Sequence, residues 1–183
     1  MEVIETSIRG LVIIQPRVFE DERGYFMESF KNSYIKENFP DIDFIQDNES
    51  RSSYGVLRGL HFQKPPFDQT KLVRAIDGKV LDVAVDLRKK SPTYGKWESI
   101  LLSSENKNQF FIPKGFAHGF VVLSKFATIQ YKVDNHYSPN HEAGIIYDDP
   151  DLNIDWKILK NKIVLSEKDK RLPLFEDLRE NNI

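Results

Sequence analysis

Apolar and polar residues alternate with a period of two along much of this chain. Between Leu81 and Leu87, the residues Leu81, Val83, Val85 and Leu87 share one face, while Asp82, Ala84 and Asp86 share the other. The run from Ala127 to Val133 repeats the pattern. Ala127, Ile129, Tyr131 and Val133 stand against Thr128, Gln130 and Lys132. Shorter β-rich runs occupy positions 12–14, 25–30, 56–62, 71–76, 97–102, 109–112 and 119–123. Turn formers separate them, among them Asp77-Gly78, Ser91-Pro92, Pro113-Lys114-Gly115 and Ser138-Pro139-Asn140. Helical patterning is confined to FKNSYIKENF at 30–39, stopped by Pro40, and to a turn or two in the tail EKDKRLPLFEDLREN. Many short, closely spaced strands predict an all-β sandwich or barrel with a few short helices.

Composition narrows the functional classes. The sequence has 183 residues, which suits a single domain spanning 1–183. It contains no Cys, so it has no disulfide framework, no thiolate nucleophile and no Cys-ligated metal. The 28 acidic and 26 basic residues leave a formal charge of −2, which gives no footprint for nucleic acid or an anionic membrane. The apolar run near the start, Leu11 to Ile14, is too short for a signal or a membrane span, so the cytoplasm is the expected location. Any metal would have to use four His (61, 118, 136 and 141) and carboxylates, and no HxH or HExxH pair is present. No metal site is expected.

Several polar residues stand among apolar neighbours. In GVLRGLHFQ, strict alternation puts Arg58 and His61 on opposite faces, but a bulge at Gly59 would re-aim one of them. A surface Arg and a core His fit the same pattern. Tyr131 shares its face with Ile129 and Val133, so its ring points inward, either as a core aromatic or as a phenol acid. Lys71 opens a strand, either in solvent or as a cation at a barrel mouth. His118 lies in the apolar, glycine-flanked IPKGFAHGF, which reads as a tight loop approaching something closely. DERGYF (21–26) and QDNES (46–50) are polar clusters that suit ordinary turns or recognition of anions and hydroxyls.

Taken together, these strings resemble a known family. FEDERGYFMESF, QDNESRSSYGVLRGLHFQ, QTKLVRAIDGKVLDVAVDLRKKSPTYGKW, LSSENKNQFFIPKGFAHGFVVLS, YKVDNHYSP and IVLSEKDKRLP look like dTDP-4-dehydrorhamnose 3,5-epimerases, in the family's order from about Val3 to Pro173. The resemblance implies a cupin jelly roll. Metal-binding cupins carry an HxH pair and a following Glu in their first motif; here that place reads His61-Phe62-Gln63. One His from each motif makes a poor metal site, which agrees with a family that needs no cofactor.

The resemblance also implies roles. His61 matches the general base, Asp169 the carboxylate that orients it, Tyr131 the acid on the opposite face, and Lys71 the cation near the keto oxygen. Arg23, Glu28, Gln46, Asp47, Asn48, Arg58, His118, Glu142 and Lys168 match substrate-binding positions, and Tyr137 an aromatic that stacks on thymine. The implied substrate is dTDP-4-dehydro-6-deoxy-D-glucose, and the implied assembly is a homodimer. Arg23 and Glu28 would then reach a neighbour's site. An epimerase acting at carbon 3 only, or on another nucleotide sugar, shares these residues. A metal cupin and a silent sugar-binding module are the remaining alternatives.

Overall fold

The alternating segments form two antiparallel sheets that face each other. The structure is a computed structural model and is described for residues 1–180. One sheet holds, in spatial order, β1 (Glu2–Glu5), β2 (Val12–Gln15), β10 (Gln109–Ile112), β7 (Lys71–Asp77), β12 (Phe126–Val133) and β5 (Gln46–Ser53). The other holds β13 (Glu142–Gly144), β6 (Leu57–Gln63), β11 (Phe116–Val122), β8 (Lys79–Asp86) and β9 (Trp97–Ser103). A separate hairpin, β3 (Val18–Asp21) with β4 (Gly24–Met27), completes the strands. This is the jelly-roll arrangement that the strand pattern predicts.

Three apolar clusters hold the layers. Between the sheets lie Val73, Ala75, Phe110, Ile112, Phe120, Val122 and Ile129. The outer face of the five-stranded sheet presents Leu57, Leu81, Val83, Val85 and Val121. The C-terminal segment covers it with Ile145, Leu152, Trp156, Phe175 and Leu178. This cover buries the Leu-Val-Val side of β8, and the opposite sheet buries the other, so the strand is buried along both faces. On the outside of the six-stranded sheet, α1 (Asn32–Asn38) lays Ile35 against Val12, Ile14, Leu72 and Phe111. Phe39 stacks on Phe111 with ring centroids 4.0 Å apart.

The structure corrects some expectations. QDNES is not a turn: it opens β5, which pairs with β12 from Gln46↔Val133 to Ser53↔Phe126. His118 is not in a loop but in the middle of the fully buried strand β11. Strands β1 and β3 had no separate signal in the alternation. The tail holds a 3₁₀ turn at Asp169–Arg171 and a short helix, α2 (Phe175–Glu180). Asn181, the last residue of the expected helical tail, lies outside the described residues.

Candidate active site

The site is built at the open end of the space between the sheets, and a bulge in β6 creates it. His61 pairs with His118 of β11, and Arg58 pairs with Phe120, so three steps along β6 oppose two along β11. The extra residue lets Arg58 and His61 enter the same cavity despite their odd spacing. Gly59 is required here. Its φ is +115°, and a Cβ at that position would stand 2.6 Å from both the Gly119 Cα and the His118 oxygen.

A second local device brings in the C-terminal residues. Val164 bridges Val56, its N–H donating to the Gly55 carbonyl at 2.9 Å and its carbonyl accepting from the Leu57 N–H at 3.0 Å. The chain that follows carries Ser166, Lys168 and Asp169 to the cavity rim.

The cavity has a volume of about 390 Å³. His61 and Arg58 come from β6, His118 from β11, Lys71 from β7 and Tyr131 from β12. His61 and Tyr131 therefore line it from opposing sheets. An adjoining recess of about 260 Å³ shares His61, Lys71 and Tyr131, and adds Gln46, Asn48, Tyr137 and Glu142.

The polar groups are paired in defined ways. The His61 Nε2 lies 2.6 Å from Asp169 Oδ1. The other oxygen of Asp169 accepts from the Ser166 hydroxyl at 2.8 Å, and its own N–H donates back to Ser166 Oγ at 3.1 Å. Asp169 thus holds the Nε2 proton and leaves Nδ1 as the imidazole's lone pair. A second pair lies beside it: the His118 Nε2 is 2.8 Å from Asp82 Oδ1, both residues buried. The Tyr137 hydroxyl donates to Glu142 Oε2 at 2.8 Å, and the Lys168 ammonium pairs with the same oxygen. Arg58 Nε donates to the Ser52 hydroxyl at 3.1 Å.

Burial sets the proton affinities. It lowers the His61 imidazole below 6.5, a shift that Asp169 partly offsets. It pushes the Lys71 amine down to about 8, against the pull of Asp82 and Glu142. It raises the Tyr131 phenol, which Arg58 partly counters. Burial also acts to raise the Glu142 carboxyl, but Lys168 and Tyr137 hold it below the usual value. Near neutral pH the cavity therefore offers a free imidazole, an ammonium and a protonated phenol.

Not every expected site residue converges here. Asp47 alternates away from Gln46 and Asn48 to the outer face of its sheet, where Lys132 Nζ donates to it at 2.7 Å. Arg23 sits at the tip of the β3–β4 hairpin, 85% exposed and paired with Asp21. Glu28, just past the hairpin, pairs with Lys31 at 3.4 Å. Neither reaches the cavity of its own chain. Conversely, Asp82 and Ser166 were not singled out from the sequence. Their one signal was an acidic residue within an alternating strand and a hydroxyl within a quoted motif. Among the described residues no group of three or more His, Asp or Glu is placed to hold a metal ion.

A family model described as dTDP-4-dehydrorhamnose 3,5-epimerase matches residues 5–177. The chain belongs to the dTDP-4-dehydrorhamnose 3,5-epimerase family. A family member from Methanothermobacter thermautotrophicus is 51% identical over 181 residues, 98% of this chain and 96% of that one. Among solved structures, the dTDP-4-dehydrorhamnose 3,5-epimerase of Elizabethkingia anophelis superposes with a TM-score of 0.93 at 51% identity, covering 97% of each chain. A dTDP-6-deoxy-D-glucose-3,5-epimerase from Legionella pneumophila, solved with dTDP-4-keto-L-rhamnose, gives 0.92 at 49% identity, covering 96% of this chain and 93% of that one. The jelly roll described above is accordingly the cupin fold of these epimerases.

Proposed function

We propose that this chain epimerises dTDP-4-dehydro-6-deoxy-D-glucose at carbons 3 and 5, giving dTDP-4-dehydro-L-rhamnose. The observation that carries the reading is the His61–Asp169 pair on one wall, Tyr131 on the other and Lys71 lining the same space.

The chemistry follows from the proton affinities. The ketone at carbon 4 acidifies the C–H bonds at carbons 3 and 5. His61 takes the proton through its free nitrogen, and the electron pair of the broken C–H bond moves into the enolate oxygen. The Lys71 ammonium stabilises that oxygen, the kind of preorganised charge that is worth roughly 3–4 kcal/mol. Tyr131 then donates its phenolic proton to the opposite face of the same carbon, which inverts the centre. Solvent reprotonates Tyr131 and removes the proton from His61. The steps are redox-neutral and call on no cofactor.

Binding is divided along the cavity. Arg58 and Lys168 suit the diphosphate, and Gln46, Asn48 and Tyr137 suit the nucleoside in the adjoining recess. His118 and Glu142 suit the sugar hydroxyls. Arg23 and Glu28 serve the site of a second copy, in a homodimer. The hairpin that carries Arg23 exposes Phe19, Tyr25 and Phe26, a surface that a partner would cover. No helix among the described residues is long and apolar enough to cross a membrane. The cytoplasm suits a chain without Cys, which gains nothing from an oxidising compartment.

Proton NMR in heavy water tests the reading. Incubation with the dTDP-4-keto sugar is expected to place deuterium at both carbons 3 and 5. One deuteron at carbon 3 would make the chain a mono-epimerase, and none would overturn the assignment.

A further inference from the structure

Asp82 stands in the middle of β8 with no exposed surface. Its Oδ1 meets His118 Nε2, while its Oδ2 is buried and has no hydrogen-bond partner among the described residues. A buried carboxylate oxygen with no donor is unusual in a folded chain. Its charge reaches Lys71, which lines the cavity beside His118. Asp82 is the largest of the charges that favour the Lys71 ammonium, and among the described residues no ion pair joins the two.

We infer that Asp82 is a positioning residue for the proposed reaction, its Oδ1 fixing the His118 ring and its Oδ2 supplying the countercharge that keeps Lys71 an ammonium. The inference rests on the epimerase reading given above. The lack of direct contact has a chemical use. An ion pair would occupy the Lys71 N–H donors, whereas a charge one step removed favours the ammonium and leaves its donors for the substrate's enolate oxygen. Lys71 shares its cavities with Arg58 and His61 on β6, His118 on β11, Tyr131 on β12, Glu142 on β13 and the C-terminal Lys168 and Asp169. A third hollow beside it adds Lys64, Asp68 and Lys89. Asp82 on β8 stands behind His118. Glu142 already answers Lys168 and Tyr137. Asp82 has no cation of its own. On the other side of the pair, Asp82 Oδ1 accepts from the His118 Nε2–H, so Nδ1 is left to accept from a sugar hydroxyl.

The test uses Asp82→Asn, which keeps shape and removes charge, with Asp82→Ser beside it in case the amide does not fold. The first readout needs no substrate: the Lys71 side-chain signal is titrated by NMR in the ligand-free protein, assigned by its loss in Lys71→Arg. The wild-type midpoint is expected near 8. Loss of Asp82's charge is expected to lower it by roughly one unit. The second readout is the alkaline limb of kcat/KM for deuterium exchange, expected to move the same way. In a Lys71→Arg background the limb near 8 is expected to vanish, and Asp82→Asn is expected to leave the higher limb that remains in place. Asp82→Glu is expected to restore the Lys71 midpoint. A Lys71 midpoint unmoved in folded Asp82→Asn, or a limb that shifts equally in the Lys71→Arg background, would overturn the inference. A wild-type protein that exchanges no deuterium overturns the epimerase reading instead, and the ligand-free titration still reports on the charge coupling.

Discussion

Arg58 and His61 stand three residues apart on β6 but share one cavity, because their partners on β11, Phe120 and His118, are only two apart. The added residue turns a strand that would divide them between two faces into one that aims both inward. Phosphate recognition and proton transfer are proposed for these two residues, so one backbone irregularity sets the distance between both functions.

Gly59→Ala is the direct test of that irregularity. The new Cβ would fall 2.6 Å from backbone atoms of β11, with φ at +115°. A loss of about 3 kcal/mol is expected, a fall in Tm on the order of 6–12 °C. Gly24→Ala is the control, since Gly24 has φ of +122° but nothing within 4 Å of the added carbon. It carries only the backbone penalty, about 1 kcal/mol. Thermal unfolding of both variants checks the contrast, and equal losses would sink the steric account.

Asp169→Asn isolates the partner of His61. The amide cannot accept as a carboxylate does, so the imidazole loses both its fixed tautomer and part of its basicity. The rate of proton exchange is expected to fall by about 10²–10⁴ while dTDP binding changes little. The wild-type pH profile should be a bell. Its acid limb lies below 6.5, where burial has moved His61, and its alkaline limb lies near 8, where Lys71 loses its proton. Tyr131 titrates higher and does not set that limb. Because Asp169 raises the His61 affinity, the Asn variant should have its acid limb shifted further down. An acid limb above 6.5 in the wild type would contradict this electrostatic picture.

What the sequence could show depended on which side chains face water. Strands with one apolar face, such as β12, were visible because burial imposes a period of two. Strand β5 was not, because it is an edge strand whose side chains face either the polar recess or solvent. Its letters read as a turn. His118 was misplaced for a related reason. Its glycine neighbour serves a close approach between β11 and β6, not a loop. The pairing of His61 with Asp169 spans 108 positions. No local period reports such a closure, so only the family resemblance supplied it. Asp82 lay in plain view in an alternating strand, but alternation alone assigns it to a polar face without saying that the face is a cavity wall.

Asp86 controls a different property, the response of the fold to acid. Burial would raise its carboxyl, but hydrogen bonds from Arg88, Ser91 and Thr93 win and bring it to about 2. The unfolded chain has the ordinary value of 3.8. A carboxyl lowered on folding adds stability above the unfolded value, and that stability is lost as pH falls toward the folded one. Asp86 should therefore contribute roughly 2 kcal/mol at neutral pH that disappears between about pH 4 and pH 2. Urea unfolding across that range should show the decline in the wild type and a flatter curve for Asp86→Asn. Parallel curves would remove Asp86 from the acid response.

Arg23 and His61 should complement each other between chains. In one chain the Arg23 guanidinium is exposed on a projecting hairpin and the His61 ring lines the cavity, so a single copy does not bring them together. Arg23→Ala removes no buried contact and should leave Tm within about 1 °C, as expected for an exposed substitution. If the hairpin completes a second copy's site, the same variant should weaken dTDP binding by about tenfold or more, the loss of one charge-assisted contact. His61→Ala should bind dTDP but exchange no protons. When the impaired Arg23→Ala and the inactive His61→Ala proteins are mixed and allowed to trade subunits, one site of each mixed dimer regains both an intact His61 and a partner's Arg23. Exchange activity should then rise above the sum of the two proteins alone. Activity that stays at that sum, with subunit exchange confirmed by mass, would place Arg23 outside the site and leave the hairpin a surface feature.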